Sequence, residues 1–309
     1  MQIQPVFAQH PPWLKLILLM IIIFASLLLV TLFGMLIATP FFGKDFIENP
    51  GLSGDYTDPM TLFRLKYLQI VSQIGLFVVP VVIFVFAVTK EKAAYLSLRR
   101  PPWPSMLAGA AVMLLALPLI NWLSQINMQL QLPASMSGIE RWMQQSEAEA
   151  GRLTEAFILT SSTGSLLLNL LMIAIIPALG EEMLFRGIIM KLFREWTKNA
   201  HVAIILSAAL FAFIHFQFYG FLPRFLMGVL FGYMLYWSGS LWVPILAHFV
   251  NNGTAVIVAW MSTRWFPATD FNTFGSSDNA WIIAGSGVFV ALICFFLWLR
   301  RTKEVLITS

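Results

Sequence analysis

Along this chain hydrophobic residues gather in long uninterrupted stretches separated by short polar connections, a pattern of blocks rather than of residue-by-residue alternation. An α-helix needs about 20 apolar residues to cross a hydrocarbon layer about 30 Å thick. Windows of that kind fall at 13–38, 68–88, 105–124, 163–190, 202–219, 222–237, 242–261 and 280–299. Residues 225–263 contain no Asp, Glu, Lys or Arg and are too many for one span. The segment Trp237-Ser238-Gly239-Ser240-Leu241-Trp242 divides them, with a tryptophan at either side where a membrane interface would lie. The pattern predicts an all-α fold, a polytopic membrane helical bundle of about eight transmembrane helices. The first window is longer than the core of a secretory signal and reads as a retained span.

Composition agrees: 59% of residues are hydrophobic and 11% are charged, against about a quarter charged in ordinary soluble domains. The single cysteine, Cys294, lies in an apolar run, so neither a disulfide framework nor a cysteine metal site is available. The net charge of +4 does not point to nucleic acid, because the basic residues sit in clusters between spans. Lys90, Lys92, Arg99 and Arg100 follow the second window, Lys191, Arg194 and Lys198 the fourth, and Arg300, Arg301 and Lys303 the eighth. An even number of spans separates these clusters, and positively charged connections stay cytoplasmic. Both termini are therefore expected in the cytoplasm of a multi-pass protein of the cell membrane, with the connections at 39–67, 125–162 and 262–279 on the other side. Ser137-Gly138-Ile139-Glu140 has the form of a capping box and predicts an interfacial helix over 137–156. Its acids Glu140, Glu147, Glu149 and Glu155 read as a solvated face. Three regions follow: N-terminal membrane helices with this interfacial helix at 1–160, a helical core at 161–265, and a last span with a cytoplasmic tail at 266–309.

The chemistry lies in polar residues placed where lipid should be, since an ionisable group deep in a bilayer costs at least about 2.5 to 3.5 kcal/mol. Glu181, Glu182 and Arg186 share one otherwise apolar helix, just after Pro177 and Gly180. Glu182 and Arg186, four apart, share a face and can pair, whereas Glu181 points about 100° away and has no local partner. Of the chain's 4 histidines, His10 and His201 fall at predicted interfaces, while His215 and His248 are intramembrane. His248 and Asn252 share a helix face, and Asn251 is rotated away from it. At about 1.5 Å per residue, Glu181 lies roughly 15 Å, His215 roughly 20 Å and His248 roughly 10 Å from the cytoplasmic ends of their helices. A carboxylate, two imidazoles and an amide at convergent depth form a hydrolytic inventory: a base for water and donors for an oxyanion. A metal version would use Glu181, His215 and His248 as zinc ligands with an open fourth position, although the more specific His-Glu-x-x-His helix signature is absent. Intramembrane Glu, Arg and His also suit a transporter or ion pathway, a reading weakened by the lack of an inverted repeat. A non-catalytic peptide-binding scaffold is the other alternative.

At these residues the chain resembles the CAAX protease and bacteriocin-processing family, also called Abi, which includes the type II CAAX prenyl endopeptidases. Glu181-Glu182-Met183-Leu184-Phe185-Arg186 matches its Glu-Glu-x-x-x-Arg motif, Phe211 to His215 its Phe-x-x-x-His, and His248 to Asn252 its His-x-x-x-Asn. The resemblance covers about residues 163–261. It implies an intramembrane endopeptidase acting on membrane-embedded or CAAX-like protein or peptide substrates within the lipid bilayer. Glu181 and His215 would activate water, His248 and Asn252 would form the oxyanion site, Glu182 and Arg186 would support the first motif, and Phe211 would pack. The family has been described both as zinc metalloproteases and as metal-independent glutamate proteases, and the carboxylate–arginine pairing inclines the reading towards no cofactor. Relatives of the bacteriocin self-immunity type keep the scaffold alternative open, and neither the substrate nor the oligomeric state is set by these motifs.

Overall fold

The computed structural model describes residues 5–48, 56, 58–101, 103–159, 162–265 and 280–301. Every regular element among them is helical: α1 (Pro12–Phe42), α2 (Pro59–Val88), α3 (Trp103–Met128), α4 (Ser137–Ile158), α5 (Thr163–Thr197), α6 (Ala200–Phe213), α7 (Phe221–Ser238), α8 (Trp242–Arg264) and α9 (Ala280–Leu299). Seven helices among the described residues are long and apolar enough to cross a membrane. The chain is thus a polytopic helical bundle. Of the connection expected at 262–279, residues 266–279 lie outside the described residues, as does Lys303.

Where the helices depart from the apolar windows, local chemistry explains the difference. α2 starts well before residue 68 because Asp58 caps it, accepting from the Thr61 amide at 2.7 Å, and Pro59 occupies its first turn. Its polar opening turns are anchored by Lys66, whose Nζ donates to the Phe157 carbonyl at 3.0 Å. The capping box expected at Ser137 is not formed. A 3₁₀ turn over Ala134–Met136 leads into the helix, so Met136 holds the cap position without a side-chain bond and Ser137 is already helical.

The expected span missing from these seven, at 202–219, is α6, and it is short. Its 14 residues cover only about 21 Å. The chain then leaves helical geometry through Phe216, which adopts φ 51°, and a 3₁₀ turn over Phe218–Gly220 before α7 begins. Asn127 of α3 secures this turn, donating from Nδ2 to the Phe218 carbonyl at 2.8 Å and accepting from the Leu222 amide at 2.8 Å. Irregular backbone at membrane depth is tolerated where protein buries it or a cavity borders it. Both conditions hold here, and the consequence is that His215 is set inside the bundle.

End-to-end contacts fix the topology. At one end Lys15 of α1 pairs with Glu195 of α5 at 3.2 Å, Lys191 of α5 donates to the Tyr95 carbonyl, and Ser240 in the α7–α8 turn donates to the Arg99 carbonyl at 2.7 Å. The α2–α3 and α7–α8 connections, the start of α1 and the end of α5 therefore share that end. α9 runs antiparallel to α3, with Ser286 donating to the Leu115 carbonyl and Leu297 clustering with Ala108 and Val112. The described chain thus begins and finishes at the same end. The largest apolar core joins Leu19 of α1 and Phe77 and Phe84 of α2 to Leu184, Phe185 and Ile188 of α5 and Phe211 of α6.

Candidate active site

The site begins with a proline in α5. Pro177 has no N–H to return to the Ile173 carbonyl four residues earlier, and its ring crowds that turn. The helix widens into a π segment over Leu170–Ile175 and again over Met183–Ile189. Asn252 of α8 exploits the altered turn, its Nδ2 donating to the Ile173 carbonyl at 2.9 Å. Three residues beyond Pro177, Gly180 lets α2 approach closely, since a Cβ there would lie 2.7 Å from the Phe77 Cβ. The two acids that follow are therefore held on a helix clamped from both sides.

Glu182 is fully buried, at 0% exposure, and Arg186 is at 1%. Their ion pair is direct, Nη1 to Oε1 at 2.8 Å, as the four-residue spacing predicts. Arg186 is further satisfied by the Gly228 carbonyl at 3.0 Å and lies over the rings of Phe211 and Phe231, 4.6 and 5.4 Å from their centroids. The same Glu182 oxygen also holds His248, whose Nδ1 is 2.9 Å away. A carboxylate beside a guanidinium only accepts, so Nδ1 carries the proton and Nε2 is turned towards the cavity. There Nε2 meets Asn252 Nδ2 at 3.2 Å and Glu181 Oε2 at 3.9 Å. The His248 ring is stacked on Phe231 and set edge-on to Phe211.

Glu181 is 7% exposed, and among the described residues its carboxylate makes no hydrogen bond. It faces a cavity of about 700 Å³ that also borders His215, His248, Asn252, Phe211 and Arg224. His215 Nδ1 lies 2.7 Å from the Phe211 carbonyl, which can only accept, so its Nε2 keeps a free lone pair. The cavity is closed by the C-terminal half of α4 through Leu153, Thr154 and Phe157, and by Gln69 and Gln73 of α2. The sequence-predicted residues Glu181, His215, His248 and Asn252 thus border one space. Glu182 and Arg186 stand behind it, and Phe211 packs among them. Asn251, expected to point away, also borders the cavity and donates to Asn252 Oδ1 at 3.0 Å.

Among the polar lining residues that lay outside the sequence reading are Gln217 and Arg224. Arg224 and Gln217 border the cavity and bond one another. Arg224 carried the same signal as Glu181, a charge inside an apolar window, while Gln217 is visible only once α6 is seen to end early.

As a metal site the side chains do not fit. Among the described residues no three of His, Cys, Asp or Glu gather as a metal-binding group.

Comparison with known proteins now bears on this geometry. Residues 163–254, the stretch from α5 through Thr254 of α8, match the family model described as type II CAAX prenyl endopeptidase Rce1-like. Over this segment the chain is similar to the Rce1-like family. The Rce1-like segment holds Glu181, Phe211, His215, His248 and Asn252 of the cavity lining, and Glu182 and Arg186 behind it. An uncharacterized protein of Bacillus subtilis (strain 168), YpbD, is 30% identical over 86 residues, 26% of this chain and 41% of that protein. The chain spans less than half the length of this curated relative. No solved structure matches. The segment similar to the Rce1-like family is carried here on a multi-pass helical bundle.

Proposed function

We propose that the chain is an intramembrane endopeptidase that hydrolyses peptide bonds of membrane-associated or CAAX-like substrates with water activated by Glu181 and His215. The observation that carries this reading is the free Glu181 carboxylate, bordering a buried cavity together with two histidines whose outer nitrogens have been fixed by their neighbours. A water in the cavity loses a proton to Glu181 or to His215 Nε2 as its oxygen attacks the peptide carbonyl. The oxyanion accepts from the Asn252 amide, which turns from His248, and from the Nε2–H of His248, whose second proton is taken from solvent before the reaction and stays on the ring throughout. The stored proton then passes to the leaving amine, and the peptide bond breaks. Glu182 orients His248, much as the carboxylate of a catalytic triad orients its imidazole, and Arg186 pairs with Glu182 and holds it in position. No metal is required by this scheme.

The test is cleavage of a bilayer-reconstituted peptide library by the purified full chain, by Glu181→Gln and by His248→Ala, each with and without a zinc chelator. Cleavage that either substitution lowers by about 10² to 10⁴-fold, and that survives chelation, supports the scheme. Equal product from the chain and Glu181→Gln overturns the role of Glu181, and loss on chelation with recovery on added zinc replaces the water-activating scheme by a metal one.

A further inference from the structure

A second cavity, of about 620 Å³, lies beside the first and is bordered by Met128 and Gln131 near the end of α3, Glu140, Gln144 and Glu147 of α4, and Tyr219. Arg224 is common to both linings. It stands in the first turn of α7, inside a predicted span, where a cation is costly unless it serves a partner.

The surroundings of Arg224 leave it with such a vacancy of charge. Both hydrogen bonds it makes go to neutral oxygens of one residue, Nη1 to the Gln217 carbonyl at 3.2 Å and Nη2 to Gln217 Oε1. Two of five N–H donors are thereby used. The carboxylates whose charges reach it are Glu147 and Glu181, yet among the described residues neither forms an ion pair with it. Glu147 instead accepts from the Tyr219 amide at 3.3 Å. The guanidinium lies directly against the Phe218–Gly220 turn, with Nη1 and Cζ closest to the Gly220 backbone. An arginine held at its edge by neutral oxygens, with a planar fork left over, is built for a carboxylate, which it can bind in two-pronged fashion.

Resting on the endopeptidase reading, we propose that Arg224 is a specificity-determining residue that anchors a carboxylate of the substrate at the junction of the two cavities, presenting a nearby peptide bond to Glu181. The carboxylate can come from the chain's C-terminus or from an acidic side chain, and the chemistry of recognition is the same. Where the carboxylate is that of a side chain, the residues beyond it would occupy the second cavity, whose Gln131 and Gln144 offer amides to a peptide backbone.

The probe is a fluorescent apolar peptide in three forms: free C-terminal acid, C-terminal amide, and amide with one internal Glu. Binding to the full chain in nanodiscs is measured in the Glu181→Gln background to suppress turnover, with Arg224 intact, with Arg224→Gln and with Arg224→Lys. With Arg224 intact, the acid should bind at least about 10-fold tighter than the amide, Arg224→Gln should bring the ratio to about one, and Arg224→Lys, which keeps the charge but not the fork, should fall between the two. Recovery of tight binding by the internal-Glu amide assigns the carboxylate to a side chain, and its failure assigns it to the C-terminus. Equal binding of acid and amide to the Arg224 protein, no binding of the acid at all, or a ratio that survives Arg224→Gln overturns the proposal. Should Arg224→Gln fail to fold, the acid-to-amide ratio on the Arg224 protein still decides it. Cleavage of the acid peptide by the unsubstituted chain is scored separately, so failure of the endopeptidase reading and failure of the anchor give different results.

Discussion

Glu182 does three things with one buried oxygen: it pairs with Arg186, it accepts from His248, and it thereby decides which nitrogen of His248 faces the cavity. Its other oxygen is buried without a partner, an arrangement with little tolerance for a further loss. Removing Arg186 would leave a carboxylate buried and uncompensated, which costs about 3 to 5 kcal/mol. Arg186→Ala should therefore unfold at markedly lower temperature in detergent than the unsubstituted chain, and a melting point within a degree of it would contradict the structural weight given to this pair. Glu182→Gln is the milder change, because an amide oxygen can still accept from one donor. It should keep the fold while lowering turnover by at least about 10²-fold, since the ring of His248 loses the charge that orients it. Turnover and thermal melting measured on the same preparation separate the two effects.

At the scale of elements, the contact of α2 with α5 positions Glu181. Gly180 has no room for a side chain against Phe77, and the clash would be with a Cβ rather than with a flexible side-chain tip. Gly180→Ala should cost about 1 to 3 kcal/mol, and Gly180→Leu should abolish activity by displacing the helix that carries the acids; activity of Gly180→Leu equal to that of the parent would show that this contact does not set the site. The π turns belong to the same scale. Both Pro80 and Pro177 follow a widened turn, at Ile74–Val78 and Leu170–Ile175, which accommodates a proline in mid-helix without ending it. Periodicity placed these helices well, because a span needs only length and apolarity. It overextended α6, because His215-Phe216-Gln217-Phe218 is apolar enough to pass for helix while the fold turns it at Phe216.

The whole molecule is organised so that the described chain starts and finishes at one end of the bundle, while the α3–α4 connection and α4 cover the other. With Cys294 changed to Ser, single cysteines at His10 and Arg301 should label with a membrane-impermeant maleimide from the same face, and one at Gln131 from the opposite face. If His10 and Arg301 label from opposite faces, the even number of crossings is wrong. We expect the termini at the cytoplasmic face of a bacterial cell membrane, and labelling of both in intact cells would reverse that orientation.

Sequence alone determined that this is a multi-spanning helical protein, and it singled out the polar residues set within its spans. The bilayer rewards apolar length and penalises each buried charge, so Glu181, Glu182, Arg186, His215 and His248 stand out one by one against their neighbours. The pairing of Glu182 with Arg186 was also legible, because four residues make one helical turn. What only the tertiary structure decided was every relation between helices: that His248 leans on Glu182, that Asn252 reaches the carbonyl beside Pro177, that α6 stops short, and that Arg224 borders the same cavity as Glu181. These depend on the rotation and depth of one helix against another. Those are set by close contacts such as Gly180 on Phe77 and Gly228 on Ala208, whose partners lie far apart along the chain and leave no periodic trace in it.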